Sequence, residues 1–331
     1  MKIFAYEHIT GGGLLDQALP PQLAREGGLM LEALLRDLSD IPDIPDENII
    51  TSRDPRLPAF DFSVQTLIPR NPDEASRMFN EGVERADAVW LIAPETQGLL
   101  ERLSRKVLAQ KRILLGSRPD AVWLCGSKLA TSRHLARAGI AAVPTYTAQE
   151  KTADSAQGWV VKPDDGAGCR DTRLYSALAP ARAQAAAQRH VLQPYIPGKH
   201  LSLSLLCRNG EAFVLSCNEQ RIVIEGDQFH FLGCQVNAMP ASGGVFTALA
   251  QRIAAAIPGL WGYVGVDLVQ NGAHNVVIEI NPRLTTSYAG LRRALDCNPA
   301  ALVLSLLNAS ETPRLPQLSC SKIDVEVTHA G

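Results

Sequence analysis

Two acids and an amide in the last quarter of the chain are spaced to hold a divalent cation. Val276 to Arg283 reads V-V-I-E-I-N-P-R. Val276, Val277 and Ile278 are β-branched and apolar, as a buried strand requires. Glu279 and Asn281 lie two apart, so they share one face of that strand. Pro282 ends it, having no N–H to donate, and Arg283 follows at the lip. Upstream, Tyr263 to Val269 (Y-V-G-V-D-L-V) is a second apolar strand with one acid, Asp267. Asn271-Gly272 between them signals a tight hairpin, and pairing the strands carries Asp267 towards Glu279. Carboxylates and amide oxygens are hard ligands that Mg²⁺ takes together with phosphate oxygens. An edge hairpin with solvated acids fits less well, because these acids interrupt apolar runs, and burying them uncompensated is costly.

The elements that must position this corner follow from the rest of the chain. Its 331 residues suffice for two or three packed units. Hydrophobic residues make up 46% and charged residues 20%, so the chain reads as globular and soluble. A net charge of −2 argues against nucleic acid or an anionic membrane as partner. No apolar run reaches the length of a membrane span, and Glu7 comes too early for a signal peptide. Seven cysteines without C-x-x-C argue against zinc and for reduced thiols in a cytoplasmic protein.

In order, Lys2 to Tyr6 reads as a strand, Gly11 to Gly13 as a loop, and Leu23 to Leu38 as a helix. This is the opening of a βα unit, whose helix start could hold an anion; a flexible turn is the alternative. Strands are expected at Ile49-Ile50, Thr66 to Ile68, Ala88 to Ala93 and Ile113 to Leu115. Helices are expected over Pro72 to Arg85 and from Pro94-Glu95-Thr96 through Leu103. A helix opens at Lys128 and is capped by Gly139. Gly158 to Lys162 is a strand ending in lysine, followed by a Pro163 to Cys169 loop that contains Gly166 and Gly168. Thr172 to Tyr175 is a strand, Pro180 to Gln188 a helix and Val191 to Ile196 extended. A second hairpin turns at Asn209-Gly210, and Gln228 to Met239 adds strand. Helices at Val245 to Ile257, Ser287 to Leu295 and Pro299 to Leu307, and a strand at Ile323 to Val327, complete the chain.

Four features together resemble the ATP-grasp superfamily of carboxylate–amine ligases. These are Lys128 at a helix start, W-V-V-K-P-D-D-G-A-G, L-Q-P-Y-I-P-G, and Asp267 followed by E-I-N-P-R. The opening M-K-I-F-A-Y-E-H-I-T-G-G-G-L and the string N-P-R-L-T-T-S-Y are similar to the tyramine–glutamate ligase family of methanofuran biosynthesis and its bacterial relatives. The resemblance implies an α/β chain, α+β in its C-terminal part. It divides into a Rossmann-like pre-ATP-grasp domain at 1–118, a small lid subdomain at 119–190 and a metal-bearing subdomain at 191–331.

It also implies roles. Lys128 and Lys162 would contact ATP phosphates, a solvated lysine being the alternative for each, and Gly166 and Gly168 would form a hinged lid that orders with nucleotide. Gln193 and the backbone of Tyr195 and Ile196 would read adenine. His200 stands where many relatives carry a ribose-binding Glu, and it is either that contact or a surface histidine. Asp267, Glu279 and Asn281 would hold Mg²⁺, or Mn²⁺, as two ions. Arg283, with Lys162, would stabilise the transferred phosphoryl group, or else form a structural salt bridge. Glu7, Gly12, Glu95, Glu219, Arg221 and Ser287 are candidates for substrate contacts. The implied reaction joins a small-molecule carboxylate, glutamate, to an amine such as tyramine in the making of a one-carbon carrier. A homodimer is left open. Another amino-acid or peptide ligase of the same superfamily shares these motifs, and so would a non-catalytic ATP-binding regulator, against which the intact Asp267, Glu279, Asn281 and Arg283 set argues.

Overall fold

The computed structural model describes residues 1–166, 168–239, 244–308 and 321–327. Ala167, inside the expected glycine loop, lies outside them. The first strands are β1 (Ile3–Glu7), β2 (Ile49–Ser52), β3 (Gln65–Leu67), β4 (Ala88–Ile92) and β5 (Ile113–Leu114). They form a parallel sheet in the order β3-β2-β1-β4-β5. Alternation decides which side chains face which helices. Ile3 and Ala5 pack with Met30, Leu31 and Leu34 of α1 (Pro21–Ser39). Phe4 and Tyr6 point the other way, onto Phe79 and Val83 of α2 (Pro72–Arg85) and Leu100 and Leu103 of α3 (Leu99–Ala109). Covered on both faces, β4 reads as an unbroken apolar run and β1 as one until its last residue, Glu7. The Asn71 side chain accepts from the Glu74 amide at 2.8 Å and fixes the start of α2, a cap of the kind that contributes about 1 kcal/mol.

Two short helices, α4 (Pro119–Cys125) and α5 (Lys128–Arg137), lead into the second half. A small antiparallel ladder follows, made of β6 (Trp159–Lys162), β7 (Arg173–Tyr175) and β8 (Val191–Pro194), with α6 (Leu178–Gln188) packed on it. The main antiparallel sheet contains β9 (Lys199–Arg208), β10 (Glu211–Glu225) and β11 (Gln228–Met239). After α7 (Val245–Ala256) come β12 (Gly262–Asn271) and β13 (His274–Asn281), giving the order β13-β12-β9-β10-β11. A single pair, Gln228 with Arg173, joins this sheet to the small ladder. Helices α8 (Tyr288–Leu295) and α9 (Pro299–Ser305) precede β14 (Ile323–Glu326), which pairs with β11.

Packing cuts across the chain divisions expected from sequence. Leu135 of α5 is buried with Leu203 and Ile253 of the C-terminal part. Leu192 of β8 is buried with Trp159, Val161 and Ala181 of the small ladder. The N-terminal and C-terminal units also share one core, in which Leu31 and Leu38 of α1 meet Tyr288, Leu291 and Leu295 of α8. The buried carboxyl of Asp37 pins that junction, accepting from the Tyr288 hydroxyl at 2.8 Å.

Two local expectations need correction. Gly11–Gly13 does not open a helix, because turns continue to Gln17 and α1 begins only at Pro21. The loop therefore offers no helix-end amides to an anion. The helix expected from Pro94 starts later, after a 3₁₀ turn over Thr96–Gly98, because Gln97 and Gly98 both sit at positive φ.

Candidate active site

The β12–β13 hairpin places Asp267 directly opposite Glu279. Asn281 lies two residues further on the same face, and its amide donates to Asp267 Oδ2 at 3.1 Å. That bond turns the Asn281 oxygen away from Asp267, leaving it as a potential ligand. Gln220 of β10 donates to the other Asp267 oxygen at 2.9 Å. Burial, then the neighbouring Glu279, pushes the Asp267 carboxyl up. Burial acts on Glu279 in the same sense, but Lys128 and Lys162 outweigh it and hold that carboxyl down. Lys128 Nζ sits 3.3 Å from Glu279. Lys162, at the end of β6, is pushed down to about 8 by burial, with Lys128 adding to the effect.

These residues fit a divalent cation. Asp267 and Glu279 face each other across the hairpin with the Asn281 amide beside them, and a divalent cation between the two carboxylates would relieve their mutual repulsion. Among the described residues no three acids, histidines or cysteines converge. The protein donor set is thus two carboxylates and one amide, which Mg²⁺ would complete with water and phosphate oxygens.

The glycine loop is tied to its surroundings at several points. Asp164 caps α5, accepting from the Leu129 amide at 2.8 Å and the Ser127 hydroxyl at 2.6 Å. Lys128 Nζ donates to the Gly166 carbonyl at 2.7 Å. Asp165 reaches the N-terminal unit, where its carboxylate accepts from the Gln97 amide at 2.7 Å. Gly168 sits at φ +66 with open space where a Cβ would be, so only its backbone conformation requires glycine. Cys169 is pushed up to about 12 by burial, then by Glu279, and stays an unreactive thiol.

On β8, buried Gln193 donates its amide to Thr145 Oγ1 at 2.9 Å. Tyr195 and Ile196 line the same cleft. The Tyr195 N–H is already taken by the Gly158 carbonyl at 2.9 Å, which leaves its own carbonyl and the Ile196 N–H for a ring edge. His200 lines the cleft at the start of β9, where burial, then Lys162, lowers its pKa and favours neutral imidazole.

The cleft has a volume of about 670 Å³ and runs from this corner to the N-terminal unit, a size that suits small ligands. Arg283 lines it but is held by Glu95, with Nε and Nη2 bound to the two carboxylate oxygens at 2.9 and 3.0 Å. A third donor, Nη1, bonds the Leu284 carbonyl at 3.1 Å. Glu95, expected at a substrate, is thus the partner that aims Arg283. Glu7 faces the cleft wall, yet its carboxylate accepts from the Ile9 and Thr10 amides and the Thr10 hydroxyl. It folds the glycine loop rather than meeting a ligand. Gly12 is a turn residue at φ +95, pressed against Pro69. Ser287 lines the cleft within a buried hydroxyl cluster that includes Tyr263 at 3.0 Å and Thr285 at 3.0 Å.

Glu219 and Arg221 are misplaced by the sequence reading. Glu219 pairs with Lys199 at 3.2 Å, and Arg221 with Asp324 and Glu326 at 3.6 and 3.7 Å, away from the cleft. Their neighbour Gln220 faces in. Strand alternation forces this choice, and the sequence alone did not give the phase.

A family model described as an ATP-grasp domain matches residues 125–287, and one described as a pre ATP-grasp 3 domain matches residues 48–122. The tyramine–L-glutamate ligase of Methanocaldococcus jannaschii is 26% identical over 308 residues, covering 93% of this chain and 89% of that protein. A crystal structure from Archaeoglobus fulgidus, assigned to the ATP-grasp superfamily, superposes with a TM-score of 0.71 at 24% identity, over 92% of this chain and 88% of that one. The L-amino acid ligase of Bacillus licheniformis superposes with a TM-score of 0.66 at 15% identity, over 92% and 73%. These two likenesses speak for the fold alone.

Proposed function

The chain belongs to the ATP-grasp family of carboxylate–amine ligases, and from that premise we propose that it joins L-glutamate to tyramine or a tyrosine-like amine. The observation that carries the reading is convergence: Lys128, Lys162 and the paired Asp267 and Glu279 of one hairpin, from three separate segments, meet in one corner at the cleft. A corner with paired cations and paired acids suits a polyphosphate with its divalent ion, and the ligases of this family use ATP with Mg²⁺ or Mn²⁺. The likeness of the whole chain to the tyramine–L-glutamate ligase supports the substrate pair.

In this reading Lys128 and Lys162 hold the phosphates under the Gly166–Gly168 loop. Gln193, the Tyr195 carbonyl and the Ile196 amide read the adenine, and His200 reaches the ribose. Asp267, Glu279 and Asn281 would hold the cation, which supplies charge neutralisation at the phosphate oxygens. A carboxylate oxygen of glutamate attacks the γ-phosphorus and ADP leaves. The amine then attacks the acyl carbon and inorganic phosphate leaves. Arg283 stabilises the charge that builds up in both steps. A pre-ATP-grasp unit, a lid and a metal-bearing unit divide this work, in a cytoplasmic enzyme that supplies a methanofuran-type one-carbon carrier.

The purified protein is expected to form an amide from glutamate with tyramine or tyrosine far faster than with a small aliphatic amine, with ATP consumed in step. Mass spectrometry of the product decides this. Equal rates with propylamine would remove the narrow substrate assignment and leave the general ligase.

A further inference from the structure

Resting on that glutamate–amine reading, the geometry points to Glu26 as the group that binds the acceptor's ammonium, with the apolar slot beside it taking the acceptor's ring. Helix α1 presents Leu23, Glu26 and Met30 to the cleft, a spacing of three and four that keeps them on one face. The other acids of the cleft are accounted for. Glu7 is bound by Ile9 and Thr10, and Asp165 by Gln97. Asp267 and Glu279 form the corner with the lysines. Asp16 and Asp171 are exposed at the rim.

Glu26 is different. One of its oxygens accepts from the Gln22 amide at 3.0 Å, and no described residue bonds the other. Glu26 lines the same cleft as Arg283 and Cys169, and its charge is felt by both. Burial raises its pKa, while Gln22 and Arg283 pull it down. A half-enclosed carboxylate with a free oxygen is costly to hold alone; an ammonium completes it with a charge-assisted hydrogen bond, and on passing one proton to Glu26 the nitrogen gains the lone pair with which it attacks the acyl carbon. Leu23 and Met30 flank it on the same helix face, and Ile9, Leu14, Pro20 and Leu99 are further apolar residues of the same cleft. An apolar slot of this kind suits an aromatic ring, and Met30 adds a soft sulfur contact. His8 and Arg102 line the same cleft and are polar groups that a phenol could meet.

The test compares two nucleophiles, tyramine and hydroxylamine, each supplied with glutamate and ATP. Hydroxylamine is uncharged at neutral pH and traps an activated carboxylate without needing an ammonium site. In Glu26→Gln the ratio of tyramide to hydroxamate is expected to fall at least about tenfold, with the KM for tyramine raised. Glu26→Asp should recover part of that ratio. An unchanged ratio in Glu26→Gln, with both products reduced equally, overturns the role of Glu26 and leaves the ligase reading standing. A wild-type protein that forms neither product overturns the ligase reading itself.

Discussion

Glu279→Gln is expected to lower turnover by at least about a hundredfold, the cost typical of removing one preorganised electrostatic group. Glu279 is the acid of the corner that forms an ion pair with Lys128 while facing the opposing Asp267. Lys128 lies 3.3 Å from it, and both Lys128 and Lys162 stabilise its charge. Glutamine keeps the shape and removes the charge, so two buried lysines lose the anion between them. A cation held by Asp267 and Asn281 alone would bind more weakly. The measurement is phosphate release at saturating ATP and Mg²⁺, with circular dichroism to establish that the variant is folded. A folded variant with wild-type turnover would refute the assignment of Glu279 to the metal.

The second large effect concerns Arg283 and Glu95. The pair is buried, with 11% and 8% of the side chains exposed, and it bridges 188 residues of sequence. Removing one partner strands a buried charge, so Arg283→Met or Glu95→Leu alone should cost about 3–5 kcal/mol of stability. Replacing both by apolar residues of similar volume is often neutral, so Glu95→Leu with Arg283→Met should regain most of that loss. Turnover should not return with it, because the guanidinium that faces the cleft is gone. Denaturant unfolding and phosphate release on the three variants separate the two roles. A double variant with restored turnover would make the pair purely structural.

How much of this was legible in sequence depends on what kind of contact each residue makes. The Asp267–Glu279–Asn281 corner is local, since a two-residue turn and strict alternation fix the pairing. The centre of the parallel N-terminal sheet is local in the same sense, β1 and β4 being mostly apolar runs next to helical patterns. Strand β10 is where local reasoning fails. Its ladders shift register near Val214, Cys217 and Arg221, and each bulge resets which side chains face in. Glu219 and Arg221 therefore turn to partners outside the cleft while Gln220 faces in. The helix α4 spans only seven residues, too few for periodicity, although Pro119 at its first turn is a start signal. Glu95 and Glu26 carry no local mark. Their roles arise from partners far along the chain, and only the packed cleft brings them together.

The central claim is that the corner built by Lys128, Lys162, Asp267 and Glu279 activates a carboxylate by phosphoryl transfer. The most direct measurement follows the carboxylate oxygen. Glutamate labelled with ¹⁸O in its carboxyl groups is incubated with ATP, Mg²⁺, tyramine and the enzyme, and the released phosphate is analysed by mass spectrometry. Attack of the carboxylate on the γ-phosphorus predicts one ¹⁸O in each phosphate, with ADP as the nucleotide product. Unlabelled phosphate, or AMP with labelled AMP oxygen, would contradict it.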